Sequence, residues 1–161
     1  MPQVCQYDWL VWIDGSIHIK HTDFIKDFLN CAKNGFALLK HPNRDDVMRE
    51  ISHSYNIPKY KHINFDDIRD FLLKEGFPND YGLWCAGIQI KRNDPEINLL
   101  NDQMWKHVLK CGEQDQIILP YVFWKYLGRK PDTFDPEGGL YHSDYLSKVT
   151  HKDSLERLGK K

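Results

Sequence analysis

The run Trp9-Leu10-Val11-Trp12-Ile13, followed at once by Asp14-Gly15, constrains this chain more than any other stretch. A continuous apolar run of this length reads as a strand covered on both faces, as in parallel or mixed sheets packed by helices, and this reading makes the strand central. It delivers a carboxylate and a glycine at its carboxyl end. Ligands of α/β folds gather there, because the loops are free to vary while the sheet holds them rigidly. Gly15 lets backbone approach a ligand closely, and a carboxylate beside it suits a hard divalent cation. The same dipeptide also makes an ordinary turn, and from these two residues alone both readings stand.

The rest of the chain alternates between strand and helix patterns. Thr22 is placed to cap a helix with Phe24, Ile25, Phe28, Leu29 and Ala32 on one face, and Gly35 is placed to stop it. Phe36-Ala37-Leu38-Leu39 reads as a second strand, so strand, helix and strand suggest a βαβ-like unit. Asn43 or Asp45 opens the next helix, Asn64 caps another, and Lys59 to His62 between them reads as a loop. Ala86 to Ile90 reads as a strand. A strong helix containing Ile97, Leu100, Trp105, Val108 and Leu109 follows, then a last helical pattern from Gln114 to Tyr126, where Pro120 sits in the first turn or kinks the helix. Residues 1–128 are expected to form one α/β domain, and the polar stretch 129–161 a peripheral tail.

Composition excludes several classes. At 161 residues, one domain with a real core is the expectation. Lys+Arg number 22 against Asp+Glu 23, so the broad basic surface that nucleic-acid binding requires is not expected. No apolar run approaches the roughly 18 residues of a membrane span, and the start MPQVCQYDW has no signal-peptide pattern, so a cytoplasmic protein is expected. Cys5, Cys31, Cys85 and Cys111 are widely spaced, which argues for reduced thiols over a zinc site or a disulfide framework.

Four segments in order, YDWLVWIDGSIHIK, LLKHPNRDDVMREI, KEGFPNDYGLWCAGIQIKRN and MWKHVLKCGEQDQIILPYVFWK, resemble a family of glycosyltransferase-like proteins. In that family a W-x-D-G motif stands where other metal-dependent sugar-nucleotide transferases carry D-x-D, and H-P-x-R, E-G-x-P…G-L and R-D-Q blocks follow. The match covers roughly residues 7 to 125. The resemblance implies a GT-A type, Rossmann-like mixed sheet packed by helices. It also implies a nucleotide-sugar donor, a glycan or other hydroxyl acceptor, and Mn2+ or Mg2+ as cofactor. This chain departs from the pattern in two blocks: Gln114-Asp115-Gln116 lacks the arginine, and Cys85-Ala86 stands where relatives carry an acidic or polar residue. Only six residues precede Tyr7, whereas GT-A domains place a nucleotide-gripping βαβ segment ahead of the metal motif. The expectation is therefore a partial or minimal GT-A sheet, with a second copy or a partner chain completing it.

On this resemblance Asp14 holds the metal, and His41 and Arg44 contact diphosphate or sugar. Gly82, Leu83 and Trp84 shape the sugar pocket beside Gly15, while Asp115, with Gln116 next to it, binds the sugar or acts as base, Glu113 being the reserve. Each residue also has a plain structural reading. His41 can be a satisfied structural histidine, and Arg44 can pair with Asp45, Asp46 or Glu50. Asp115 can serve as a helix-start anion, and Trp84 and the other aromatics can be core. Lys125, Arg129 and Lys130 read as a solvated face. Two other functions compete with transfer: a non-catalytic sugar- or protein-binding remnant of a transferase, and a metal-dependent hydrolase that uses no nucleotide donor.

Overall fold

The computed structural model describes residues 6–112, 114–137 and 143–148, so Cys5 and Glu113 lie outside the described residues. A four-stranded mixed sheet has the order β1 (Trp9–Ile13), β4 (Trp84–Arg92), β3 (Phe36–Lys40), β5 (Asp132–Phe134). β4 runs antiparallel to both of its neighbours, and β5 runs parallel to β3. β1 and β3 are therefore parallel to each other, with β4 between them. The β1–α1–β3 crossover, in which α1 is Phe24–Cys31, is a βαβ unit split by a later strand. The first strand is thus at the edge of the sheet and not central. Its apolar run does not reflect cover on both faces, since Val11 is 40% and Trp12 58% exposed.

Alternation along β3 builds two cores. Phe36 and Leu38 point into a cluster with α2 (Val47–Ser54), α3 (Phe65–Lys74), α4 (Pro95–Cys111) and α5 (Asp115–Val122). Ala37 and Leu39 point the other way, into a cluster with α1 and Phe134. The class read from the sequence, α/β with a mixed sheet packed by helices, holds. β4 changes phase midway: Trp84 and Ala86 face the first core, yet Ile88 and Ile90 face the second. The cause is a bulge, because Leu38 pairs with Gln89 while the next residue, Leu39, pairs with Cys85. The amide of Gln89 ties the bulge across, donating to the Ala86 carbonyl at 3.0 Å.

Local chemistry sets the helix starts. The Asp46 carboxylate accepts from the N–H groups of Met48 and Arg49, so the cap of α2 is Asp46 and neither Asn43 nor Asp45. Asn64 caps α3 as expected, and Asp94 caps α4 with Pro95 in the first turn. Thr22 is not the side-chain cap of α1; Asp23 stands at that position and makes no cap hydrogen bond. Pro120 lies inside α5, and the helix widens into a π-turn over Phe123–Leu127. Part of the stretch read as a peripheral tail is built into the fold. β5 completes the main sheet, and β6 (Leu146–Lys148) pairs with β2 (Ile17–Ile19), burying Leu146 fully. Cys31, Cys85 and Cys111 are free thiols, and no helix among the described residues is long and apolar enough to cross a membrane.

Candidate active site

Because β1 and β3 are parallel, the residues that follow them, Asp14 and His41, emerge at the same end of the sheet. A cleft of about 850 Å3 opens there. Its floor includes the β4 bulge, Cys85 to Gly87, and the N-terminus of α5 brings Gln114, Asp115 and Gln116 to the rim. Asp14, His41, Arg44, Asp115 and Gln116 all line it, so five predicted site residues from three distant segments share one cavity.

Asp14 is fixed by its backbone. Its N–H donates to the Gly87 carbonyl at 2.7 Å, and its Oδ1 accepts the N–H of Ser16 at 2.7 Å. The turn reading and the site reading are therefore compatible, since the turn is what holds this carboxylate at the cleft. Gly15 does not itself line the cleft. A Cβ there would meet nothing within 4 Å, so close packing against protein does not require the glycine.

His41 is buried, and its Nδ1 accepts the backbone N–H of Arg44 at 2.9 Å and that of Asn43 at 3.3 Å. A neutral ring with Nδ1 accepting carries its proton on Nε2. The 3.4 Å approach of Arg44 Nη2 to Nε2 is then a contact between two donors and not a hydrogen bond. Burial lowers the pKa of His41; Glu50 opposes this, while the Arg44 guanidinium adds to it. Arg44 pairs through Nε with Glu50, as one of the structural readings anticipated.

Asp115 opens α5 without serving as its N-cap, a position taken by Gln114. Burial raises the pKa of its carboxyl; the backbone N–H of Gln116 draws it down, and the Asp14 carboxylate raises it further. Gln116 turns its amide onto Glu50 at 2.9 Å. The site therefore holds two acidic groups that sense each other, Asp14 and Asp115, together with Arg44, Lys59 and Lys148 as cations along the lining. Burial also raises the pKa of Cys85, which favours the thiol in the cleft floor.

Gly82, Leu83 and Trp84 are not brought to the cleft. Leu83 and Trp84 are buried in the first core, and the indole N–H donates to Thr133 Oγ1 at 2.8 Å, tying β4 to β5. Gly82 is required by its backbone, with φ at 126° and a Cβ position 2.6 Å from the Trp84 ring. These three therefore have structural positions. The sequence reading did not single out Lys59, Tyr60 or Lys148 for the cleft, named Trp12 only as the first residue of the W-x-D-G motif, and offered Glu50 only as a partner for Arg44. Trp12 carried a signal in hindsight, lying two residues before Asp14 on the same strand. Lys148 carried none, because only the β2–β6 pairing brings it near.

Among the described residues, no three His, Cys, Asp or Glu side chains converge as a metal-ligand group. A hard cation at Asp14 thus fits only where ligand oxygens, such as those of a diphosphate, complete its shell. Comparison of the chain with family models, curated proteins and solved structures gives no match.

Proposed function

We propose that this chain is a glycosyltransferase-like protein of GT-A type that binds a nucleotide-diphosphate sugar with Mn2+ or Mg2+ and transfers the sugar to a glycan or other hydroxyl acceptor in the cytoplasm. The observation that carries this reading is the convergence of Asp14, His41-Arg44 and Asp115-Gln116 in one cleft at the carboxyl ends of two parallel strands. These are the segments that the motif order singled out, and helices pack the sheet on both faces around them.

Each residue has a task in this reading. Asp14 is the residue that would hold the cation, through its carboxylate, and a donor's phosphate oxygens would have to complete the shell. When bound there, a cation would supply Lewis-acid stabilisation to a departing diphosphate. Arg44, Lys59 and Lys148 offset the charge that develops on that leaving group. His41, held as the Nε2–H tautomer, keeps the turn that presents Arg44. Asp115 accepts the proton of the attacking acceptor hydroxyl, and its raised pKa brings a carboxylate closer to the range where a general base works well near neutral pH.

Calorimetry tests the reading. Mn2+ and a nucleoside diphosphate are expected to bind cooperatively to the wild-type chain, and Asp14→Asn is expected to abolish that coupling while leaving the fold intact. Equal metal-dependent affinity in the variant removes Asp14 from the metal role. Two other functions remain distinguishable from transfer. Binding of donor without turnover marks a non-catalytic remnant, and turnover of a lipid or glycan without any nucleotide marks a hydrolase. A second copy or a partner chain completing the sheet at β1 belongs to the same proposal.

A further inference from the structure

Glu50 is only 3% exposed, and it sits on α2 at the back of the cleft. Its two oxygens serve different walls. Oε2 takes the Nε–H of Arg44 and lies 4.0 Å from His41 Nε2, both in the turn between β3 and α2. Oε1 takes the Gln116 amide at 2.9 Å and the Ser54 hydroxyl at 3.4 Å, and that hydroxyl in turn accepts from the Gln114 amide at 3.0 Å. One buried carboxylate thus joins the β3–α2 turn to the start of α5. A buried carboxylate is costly unless donors surround it, and such a group, once satisfied, fixes the geometry of everything bonded to it.

Resting on the proposed diphosphate reading of the cleft, we infer that Glu50 is a positioning residue that locks Arg44 and Gln116 into one orientation, so that both walls present their donors together to a phosphorylated ligand. Its charge and its two acceptor oxygens are both needed. A glutamine in the same place has one acceptor oxygen and an NH2 group. Gln116 can answer the new NH2 only by turning its own amide over, and the bond to Arg44 then keeps an acceptor oxygen but loses its charge assistance.

The test uses Glu50→Gln and Gln116→Ala in the full chain, with two readouts. The first is the NMR signal of the Arg44 Nε–H. It is expected to be protected from solvent exchange in the wild type and to exchange faster in both Glu50→Gln and Gln116→Ala. The second is calorimetric titration with pyrophosphate and Mg2+, for which Glu50→Gln is expected to bind about tenfold more weakly than the wild type, as loss of an oriented charge-assisted contact would give. An Arg44 signal that stays protected in Glu50→Gln, or pyrophosphate affinity that does not change, overturns the inference. If Glu50→Gln does not fold, Gln116→Ala decides, since it keeps the buried carboxylate; an unchanged Arg44 signal there overturns the coupling of the walls. A wild-type chain that takes no pyrophosphate overturns the phosphate reading alone, and the Arg44 signal in the variants then still upholds or overturns the coupling.

Discussion

Asp115 is under two opposed demands, and they separate in a mutant. Burial raises the pKa of its carboxyl, and the Asp14 carboxylate raises it further, so the ionised form that a general base requires is also the form the fold disfavours. A raised folded-state pKa contributes stability that is present below the unfolded value and is lost as pH rises through the folded value. At neutral pH, Asp115→Asn removes that penalty. The variant is expected to melt at or above the wild-type temperature, while turnover falls far more than donor affinity. A clear drop in melting temperature with unchanged turnover would mean that Asp115 serves the helix start alone. His41 gives the complementary pH dependence. Its pKa is lowered by burial, so the stability associated with its neutral form is present above about pH 6.5 and is lost as pH falls through the folded value. His41→Asn is expected to flatten that acid limb, measurable as denaturation midpoint against pH. At this scale the sequence placed Asp14 and His41 after strands and Asp115 at a helix start, and the structure has them there along one cleft. The sequence misled at Trp84, where nothing local reveals that Thr133 waits to accept the indole N–H.

Among the elements, the two that shape the cleft most are those whose patterns were hardest to read. The stretch from Ala86 to Ile90 is recognisably a strand, and Ile88 and Ile90 do share a face. The bulge that reverses the phase before them leaves no mark in the spacing of apolar residues, because Trp84, Ala86, Ile88 and Ile90 look like one uninterrupted alternation. That reversal lets a single strand pack against both cores and turns Cys85 to Gly87 towards the cleft. The β2–β6 pair was equally hidden, since three-residue strands give too few positions for a period to show. Its weight in the fold can be measured. Leu146 is fully buried among α1 and β3 side chains, so Leu146→Ala is expected to cost about 2–5 kcal/mol. Because Lys148 on the same strand lines the cleft, ligand affinity is expected to fall with it. A denaturant midpoint that does not move in this variant would show that β6 adds nothing to the stability of the core.

At the scale of the whole molecule, the four-stranded sheet of the described residues ends at β1 on one side and at β5 on the other, and β1 is the end that carries exposed apolar side chains. β1 pairs with β4 on one side, and the sheet order ends there. On that strand Val11 is 40% and Trp12 58% exposed, and Tyr7 just before it is 57% exposed. An edge strand with a free row of backbone groups and protruding apolar side chains is a template for pairing, and proteins that remain monomeric usually blunt such an edge with charge or proline. From Trp9 to Ile13 there is neither. The five-residue apolar run therefore did not reveal the strand's place in the sheet: continuous apolar character fits a strand awaiting a neighbour as well as one already enclosed. The chain is expected to self-associate through this edge. Its weight-average mass in sedimentation should rise with concentration, and Val11→Lys, which places a charge on the edge away from the cleft lining, should return it towards the monomer. A wild-type mass that stays monomeric across the whole concentration range would show that β1 is a tolerated edge, and nucleotide binding by that monomer would show that the cleft beside it is complete within one chain.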